Sequence, residues 1–314
     1  MDEGTIRTEE LVRVFDGQRA VDGVNLEVKK AEIFGFLGPN GAGKSTTVKI
    51  LTSILSPTSG RAFVSGLDVV KNGHRVRKEI GVALQDVGLD PLMNAREMLI
   101  LQGMLFGEST GTAAQKADTL LKMVGLNDVP RKKRTGQYSG GMKRRLDLAL
   151  ALVHNPKVLF LDEPTSGLDP ASRATIWDEV RRLNRELGMT IFLTTQYLEE
   201  ADRLADQLAI ISEGKIVAQG TPDELKRGLG QEVITFDFED ARSAGVAESM
   251  LGTWCDRLAR NENQLACYLP EASSAIPRFI ARLNESDVVP TGLNVSRPTL
   301  DDVFLAATGE TARS

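Results

Sequence analysis

The stretch Gly38-Pro39-Asn40-Gly41-Ala42-Gly43-Lys44-Ser45 constrains this chain more than any other. An apolar run, Ile33 to Leu37, leads into it, and a helical pattern, Thr46 to Leu55, leads out. Strand, glycine loop and helix together are the setting in which G-x-x-x-x-G-K-S cradles a polyphosphate. The glycines let the backbone turn tightly and aim successive N–H groups at phosphate oxygens. The helix beginning near Gly43 adds its unsatisfied amides and positive end. In that setting Lys44 reaches the β- and γ-phosphates and the Ser45 hydroxyl ligates Mg²⁺. An ordinary strand–helix turn needs neither the full spacing nor both flanks, so this loop predicts nucleotide binding.

Composition narrows the rest. A chain of 314 residues predicts one large α/β domain plus something small. Aromatic content of 5% argues against stacking platforms for single strands, and a net charge of −5 gives no general attraction to nucleic acid or anionic lipid. Cys255 and Cys267 are too few for a disulfide framework and read as small core residues in a reduced, cytosolic setting. His74 and His154 sit in no ligand-like cluster, and Met1 to Glu10 is too polar for a signal peptide. Apolar stretches such as Leu148 to Val153 fall far short of the roughly 18 residues that span a bilayer. Work at a membrane would go through a partner.

Along the chain, residues 5 to 28 read as two antiparallel strands joined at Asp16-Gly17. Phe15, beside that turn, is either a rim core residue or a ring to stack on adenine. Ala62 and Val64 before Ser65-Gly66 suggest another edge strand, and Ile80 to Leu84 a short strand ending at Gln85. From Asp90 to His154 the period becomes helical, with Met98, Leu99, Leu101 and Leu105 on one expected face. Val158 to Leu161 is a continuous apolar run, as a buried parallel strand requires, and Thr190 to Thr194 is the next. Beyond about residue 228 strands and helices alternate again. Val246, Met250 and Trp254 share an expected helix face, Ser274 lies near an N-cap, and Thr299 caps a last helix. The order β-α-β-α-β-α suggests a small α+β module of ferredoxin-like type.

Two further signals carry chemistry. Asp162 and Glu163 close the Val158 strand at its C-terminal end, where α/β sheets bind ligands. Hydrolysis of Mg·ATP needs one carboxylate for the metal shell and another for the attacking water, and adjacent positions on an extended strand end point different ways. Tyr138-Ser139-Gly140-Gly141-Met142 precedes a long helical pattern: Ser139 is a natural N-cap, and the glycines bare the helix end. That is a helix start, a second anion-binding helix end, or both.

With these residues in place the chain resembles the nucleotide-binding subunit of an ABC transporter, and within that superfamily the daunorubicin/doxorubicin-resistance ATPases of drug exporters. The general match covers about residues 5 to 225: Walker A loop Gly38 to Ser45, Q-loop Gln85, signature Ser139 to Gly141, Walker B end Asp162-Glu163, D-loop Ser166-Gly167-Leu168-Asp169. The narrower match rests on Thr194 to Asp202 and on Pro298 to Leu305. The resemblance implies an α/β P-loop NTPase core of ABC type, residues 1–227, with an antiparallel β edge and a helical subdomain at about 86–154. A C-terminal α+β accessory domain, residues 228–314, follows.

It implies site roles as well. ATP and Mg²⁺ are the cofactors. Phe15, Gly38 to Thr46 (Pro39, Asn40, Gly41, Ala42, Gly43, Lys44 and Ser45 between them), Gln85, Ser139, Gly140, Gly141 and Asp169 bind nucleotide. Ser45, Gln85 and Asp162 hold the metal, and Glu163, Gln196 and Lys44 act in catalysis, Glu163 as general base. Each chain carries one P-loop and one signature, so the implied partners are a second copy, sandwiching ATP, and polytopic membrane permease subunits, not nucleic acid. The implied location is cytoplasmic, peripheral on the cytoplasmic face of the cell membrane. The expected function is ATP hydrolysis coupled to efflux of hydrophobic drugs or antibiotics; the alternatives are a lipid, polysaccharide or lipo-oligosaccharide exporter ATPase, or a soluble ABC-type ATPase acting on DNA or ribosomes. The absence of sustained heptads between Lys44 and Ser139 weighs against the last.

The chain departs from the family pattern in places. Gln196 stands where the family usually has histidine; its amide donates a hydrogen bond but cannot titrate near neutral pH. Tyr138 and Met142 replace leucine and glutamine around the signature, and Ala31 fills a turn position usually given to glycine. The basic residues Arg131 to Arg134 and Lys143 to Arg145 read as solvated helix faces.

Overall fold

The computed structural model describes residues 5–229, 232–270, 272–286 and 288–309; Met1–Gly4 of the polar opening lie outside them. The chain forms two compact units that meet at Gln219–Gly220. That point precedes the boundary expected after residue 227, because helix Pro222–Arg227 packs with the last helix of the chain.

The first unit opens on β1 (Ile6–Phe15) and β2 (Gln18–Val28), antiparallel, with Asp16 at φ +47° and Gly17 at φ +83° forming the tight turn. Next come β3 (Ile33–Leu37), α1 (Lys44–Leu51), β4 (Ser59–Val64), β5 (Leu67–Asp68), α2 (Gly73–Glu79) and β6 (Ile80–Ala83). A helical stretch follows, with α3 (Ala95–Leu105), α4 (Thr110–Met123) and α5 (Gly140–Ala151) capped by Asn94, Ser109 and Ser139. Then β7 (Val158–Asp162), α6 (Pro170–Leu187), β8 (Thr190–Thr195), α7 (Leu198–Leu204), β9 (Gln207–Ser212) and β10 (Lys215–Gly220) complete it.

Its strands make an edge sheet, β2-β1-β4-β5, and a central sheet, β10-β9-β3-β8-β7-β6. The central pairs β9–β3, β3–β8, β8–β7 and β7–β6 are parallel. Parallel strands need both faces covered, which is why these read as unbroken apolar runs. On one face Phe34, Phe36, Phe160 and Phe192 join the cluster that includes Val21 and Leu26 of β2 and Val48 of α1. Phe192 lies at the middle, its ring 5.5–5.6 Å from those of Phe34, Phe36 and Phe160. On the other face Ile191, Leu193, Leu159 and Leu161 pack with Leu99, Leu146 and Val180 of the helices. Each buried phenylalanine contributes about 1.5–3 kcal/mol. The expected face of α3 is only partly right. Ala95, Leu99 and Gly103 are buried, whereas Leu101 and Leu105 are 47% and 73% exposed.

The second unit runs α8 (Pro222–Arg227), β11 (Glu232–Asp237), α9 (Ala241–Leu251), β12 (Arg257–Asn261), β13 (Gln264–Leu269), α10 (Ala272–Asn284), β14 (Gly292–Ser296) and α11 (Leu300–Thr308). Its antiparallel sheet has the order β12-β13-β11-β14, and β11-α9-β12-β13-α10-β14 is the ferredoxin-like arrangement. The strand missing from the sequence pattern is β12, a half-exposed edge whose residues R-L-A-R-N do not alternate. The face expected of α9 is wrong: Ala244, Ala247 and Leu251 are buried, and Val246 points outward. Trp254 lies past the helix end, its ring 5.9 Å from that of Phe279. Ser274 sits inside α10, which starts at Ala272, whereas Thr299 caps α11 through a capping box with Asp302. No helix of the described residues is long and apolar enough to cross a membrane.

Candidate functional site

Register brings the chemistry to one edge. Leu37 pairs with Thr195, Asp162 with Thr194 and Ala83 with Leu161, so the loops after β3, β6, β7 and β8 leave the same end of the sheet. After β3, Gly41 and Gly43 take φ of +82° and +104°, and α1 starts at Lys44 with no side-chain cap, leaving its first-turn amides free for an anion. A Cβ on Gly43 would lie 2.2 Å from the Ala20 carbonyl of β2, so only glycine fits there. A Cβ on Gly41 would meet nothing within 4 Å, so there the demand for glycine comes from the positive φ alone.

A bonded cluster fills this edge. Lys44 is 4% exposed; its Nζ donates to the carbonyls of Gly38 (2.8 Å) and Pro39 (3.0 Å) and lies 3.1 Å from Glu163 Oε1. Gln85 Nε2 donates to Glu163 Oε2 at 3.3 Å, and the Ser45 hydroxyl to Asp162 Oδ1 at 3.2 Å. Thr194, to which the sequence assigned no role, ties the Asp162 carboxylate to the Glu163 backbone. Its hydroxyl donates to Asp162 Oδ1 (2.5 Å) and accepts from the Glu163 N–H (3.0 Å). The two acids diverge because Glu163 adopts φ +48°, not because an extended strand alternates. A non-glycine residue in that left-handed region costs about 1–2 kcal/mol.

A second group surrounds the start of α5. Ser139 Oγ accepts from the Met142 N–H at 3.3 Å, and a Cβ on Gly141 would come 2.9 Å from Ser172 Oγ. Asp169 caps α6, accepting from the Ser172 N–H (2.9 Å) and hydroxyl (2.6 Å), which hold its carboxyl below the usual range. Tyr138 is buried among α3–α5 residues in the place of the family's leucine. Phe15 stands apart at the β1–β2 turn, 42% exposed, with the Arg13 guanidinium over its ring at 4.5 Å. Gln196, half-buried, follows Thr195 at the end of β8.

Buried charges beneath the site went unnoticed in the sequence. Arg144 does not lie on a solvated face: it is 5% exposed, and the desolvation of its guanidinium pulls its pKa down. Its helical spacing from Leu148 and Ala151, both buried, was the available signal. Asp147 beside it is pushed up to about 6 by burial, against the pull of Arg144. Glu200 is fully buried. Its Oε1 accepts from Thr165 Oγ1 (2.9 Å) and Trp177 Nε1 (2.8 Å), and burial raises its pKa. His154 stacks on Phe106 with centroids 4.0 Å apart and Nε2 2.8 Å from the Ile80 carbonyl; burial lowers its pKa.

A P-loop, a Walker-type carboxylate pair and a glycine-led second helix end, set on a parallel sheet with an antiparallel edge, define an ABC-type ATP-binding cassette. Residues 21–166 match the ABC transporter family, and residues 220–308 match the C-terminal domain of DrrA1-3-like ATP-binding proteins. The chain is 42% identical to the daunorubicin resistance ATP-binding protein DrrA3 of Streptomyces coeruleorubidus, over 95% of this chain and 94% of that one. It is 41% identical to the daunorubicin/doxorubicin resistance ATP-binding protein DrrA of Streptomyces peucetius, over 98% and 93%. Nod factor export ATP-binding protein I of Rhizobium etli is 36% identical over 95% and 91%. Among solved structures, a dimeric ATP-binding cassette in a post-hydrolysis state, bound to ADP and phosphate, superposes with a TM-score of 0.63 at 25% identity, covering 69% of this chain and 98% of that one. The chain belongs to the ABC transporter ATP-binding proteins, in the branch of the daunorubicin/doxorubicin-resistance ATPases.

Proposed function

We propose that this chain is the ATP-hydrolysing subunit of an exporter that expels hydrophobic drugs or antibiotics through separate membrane subunits. The observation that carries the catalytic half is the Lys44–Glu163–Gln85 cluster at the strand ends. The likeness along nearly the whole chain to drug-resistance ATP-binding proteins supports the transport half.

In this reading the triphosphate lies along Gly38 to Thr46, and its β- and γ-phosphates take over the Lys44 contacts now made by loop carbonyls and Glu163. Phe15 stacks on the adenine. Ser45 and Asp162, with oxygens 3.2 Å apart, and the Gln85 side-chain carbonyl are hard oxygen donors of the kind Mg²⁺ takes, so the residues fit that ion. When bound, Mg²⁺ neutralises phosphate charge as the terminal phosphoryl group departs. Glu163, relieved of Lys44, accepts a proton from the water whose oxygen bonds to the γ-phosphorus while the bond to the ADP oxygen breaks. Gln196 donates a hydrogen bond near the γ-phosphate. Ser139, Gly140 and Gly141 form a group separate from Lys44, which favours a second copy: each nucleotide is closed by the signature helix of the facing chain, with Asp169 holding the D-loop that lies between.

The membrane subunits would dock beside Gln85. Leu101, Met104, Leu105 and Phe106 are each 40% or more exposed, next to a groove of about 450 Å³ lined by Leu84, Asp86, Phe106 and His154. A chain so placed works at the cytoplasmic face of the cell membrane. The Nod factor relative supports a second reading, export of a lipo-oligosaccharide by the same ATPase body. Turnover of the chain with its membrane subunits, stimulated by one cargo class and not the other, decides between them.

The catalytic half is tested by Glu163→Gln. It is expected to bind Mg·ATP and dimerise while turnover drops about 10²–10⁴-fold. Unchanged turnover would remove Glu163 from the role of base.

A further inference from the structure

Arg144 belongs to α5, the helix capped by Ser139, and its guanidinium is spent on the chain's own catalytic edge. Nε donates to the Pro164 carbonyl at 2.8 Å, Nη2 to that of Asp162 at 3.0 Å and Nη1 to that of Leu84 at 2.5 Å. Nη1 also lies 3.1 Å from Asp147 Oδ2. These carbonyls are not scattered. Leu84 precedes Gln85, Asp162 precedes Glu163, and Pro164 follows it. One planar group thus brackets the two residues whose side chains meet at 3.3 Å, and one of them is held at φ +48°.

We propose that Arg144 is a positioning residue that locks the Gln85–Glu163 pair to the signature helix, so that seating of a nucleotide against Ser139, Gly140 and Gly141 sets the base of the same chain's own site. The fork is what makes this possible. Three donors diverge in one plane from a buried, weakly hydrated cation, and a lysine ammonium cannot reach all three carbonyls at once. Burial keeps water from competing for those carbonyls. A shift of α5 along its axis therefore pulls both strand ends together, and the Glu163 carboxylate moves with its backbone. The inference rests on the reading of Glu163 as base.

The test uses the full chain and its Arg144→Lys variant. A second variant, Arg144→Gln with Asp147→Asn, removes the carboxylate paired with Arg144 together with the guanidinium and so guards against misfolding. Turnover at saturating Mg·ATP is compared with the dissociation constant for ADP, and turnover of Arg144→Ala is measured with and without millimolar guanidinium. Both designed variants are expected to lose at least about tenfold in kcat while ADP affinity stays within about threefold, since a small misplacement of a reacting group is felt in the chemical step. Guanidinium is expected to raise turnover of Arg144→Ala and not of the wild type. Wild-type kcat in Arg144→Lys, or loss of ADP affinity in proportion to kcat, overturns the proposal, since a merely structural clamp predicts one or the other. Glu163→Gln measured alongside separates the layers. If it still turns over, the assignment of the base falls; if it is silent while Arg144→Lys is fully active, only the role of Arg144 falls.

Discussion

The first unit buries charge and the second does not. Lys44, Arg144, Asp162, Glu163 and Glu200 are all at most 6% exposed, and every buried Lys, Arg, Asp or Glu among the described residues lies before Gly220. The core cluster of the second unit is built from aliphatic and aromatic side chains and Cys267. Left-handed residues divide less sharply, since the first unit also holds Asp16 and Ala31 at positive φ in turns. Glu163 takes its positive φ at the catalytic edge, whereas Glu262, the one described non-glycine residue of the second unit at positive φ, lies in the turn between β12 and β13. Buried charge works against stability, and a fold keeps it where chemistry requires it. The difference marks the strand ends of the first unit as a working site and the second unit as a packed module.

That contrast can be broken or sharpened by experiment. The largest effect is expected from Phe279→Ala in the second unit, whose fully buried ring sits 6.2 Å from that of Phe236. The loss is expected to be about 3–5 kcal/mol, as for any well-packed aromatic core. Hydrogen exchange at the β11 and β13 amides reads it, and unaltered protection there would mean that the core of this unit is not what holds it together.

Next comes the pH dependence peculiar to the first unit. Asp147 is raised from 3.8 to about 6 in the folded chain, mainly by burial. The folded state then holds a proton that the unfolded state has released, so this contribution is complete below the unfolded value and disappears as pH rises through about 6. Relative to Asp147→Asn, which does not titrate, wild-type stability should fall by about 2–3 kcal/mol between pH 4 and pH 7. Denaturant unfolding of both proteins at the two pH values checks this; a flat or rising difference would contradict the burial argument.

Smaller effects test the local devices. Thr299→Ala removes a capping box from α11 and is expected to cost the second unit about 1 kcal/mol, measured by the urea midpoint. In the first unit Ala31 stands at φ +58°. Ala31→Gly should relieve that strain and gain about 0.5–1 kcal/mol, seen as a higher melting temperature. A loss instead would show that the Ala31 N–H and carbonyl, held by Thr190 and Asn184, depend on the alanine.

The motif-bearing segments were legible because their signals are local. A continuous apolar run before Gly38 and before Asp162 means a strand buried on both faces, and Ser139 and Thr299 announce helix starts by their own side chains. The strain at Ala31 was legible from the family pattern, which usually has glycine at that turn position. Periodicity failed where a side chain's surroundings came from elsewhere in the chain. Leu101 and Leu105 fit a helical stripe yet face outward, and β12 has no alternation because its partner β13 supplies the register.

The sequence by itself determined which residues can meet a polyphosphate, since glycine spacing, a lysine and an acid after an apolar run are chemical requirements readable one segment at a time. Only the tertiary structure decided how those segments cooperate. Thr194 joins the Asp162 carboxylate to the Glu163 backbone and Arg144 spans two strand ends because the parallel register aligns β6, β7 and β8, and no single stretch of chain contains that alignment.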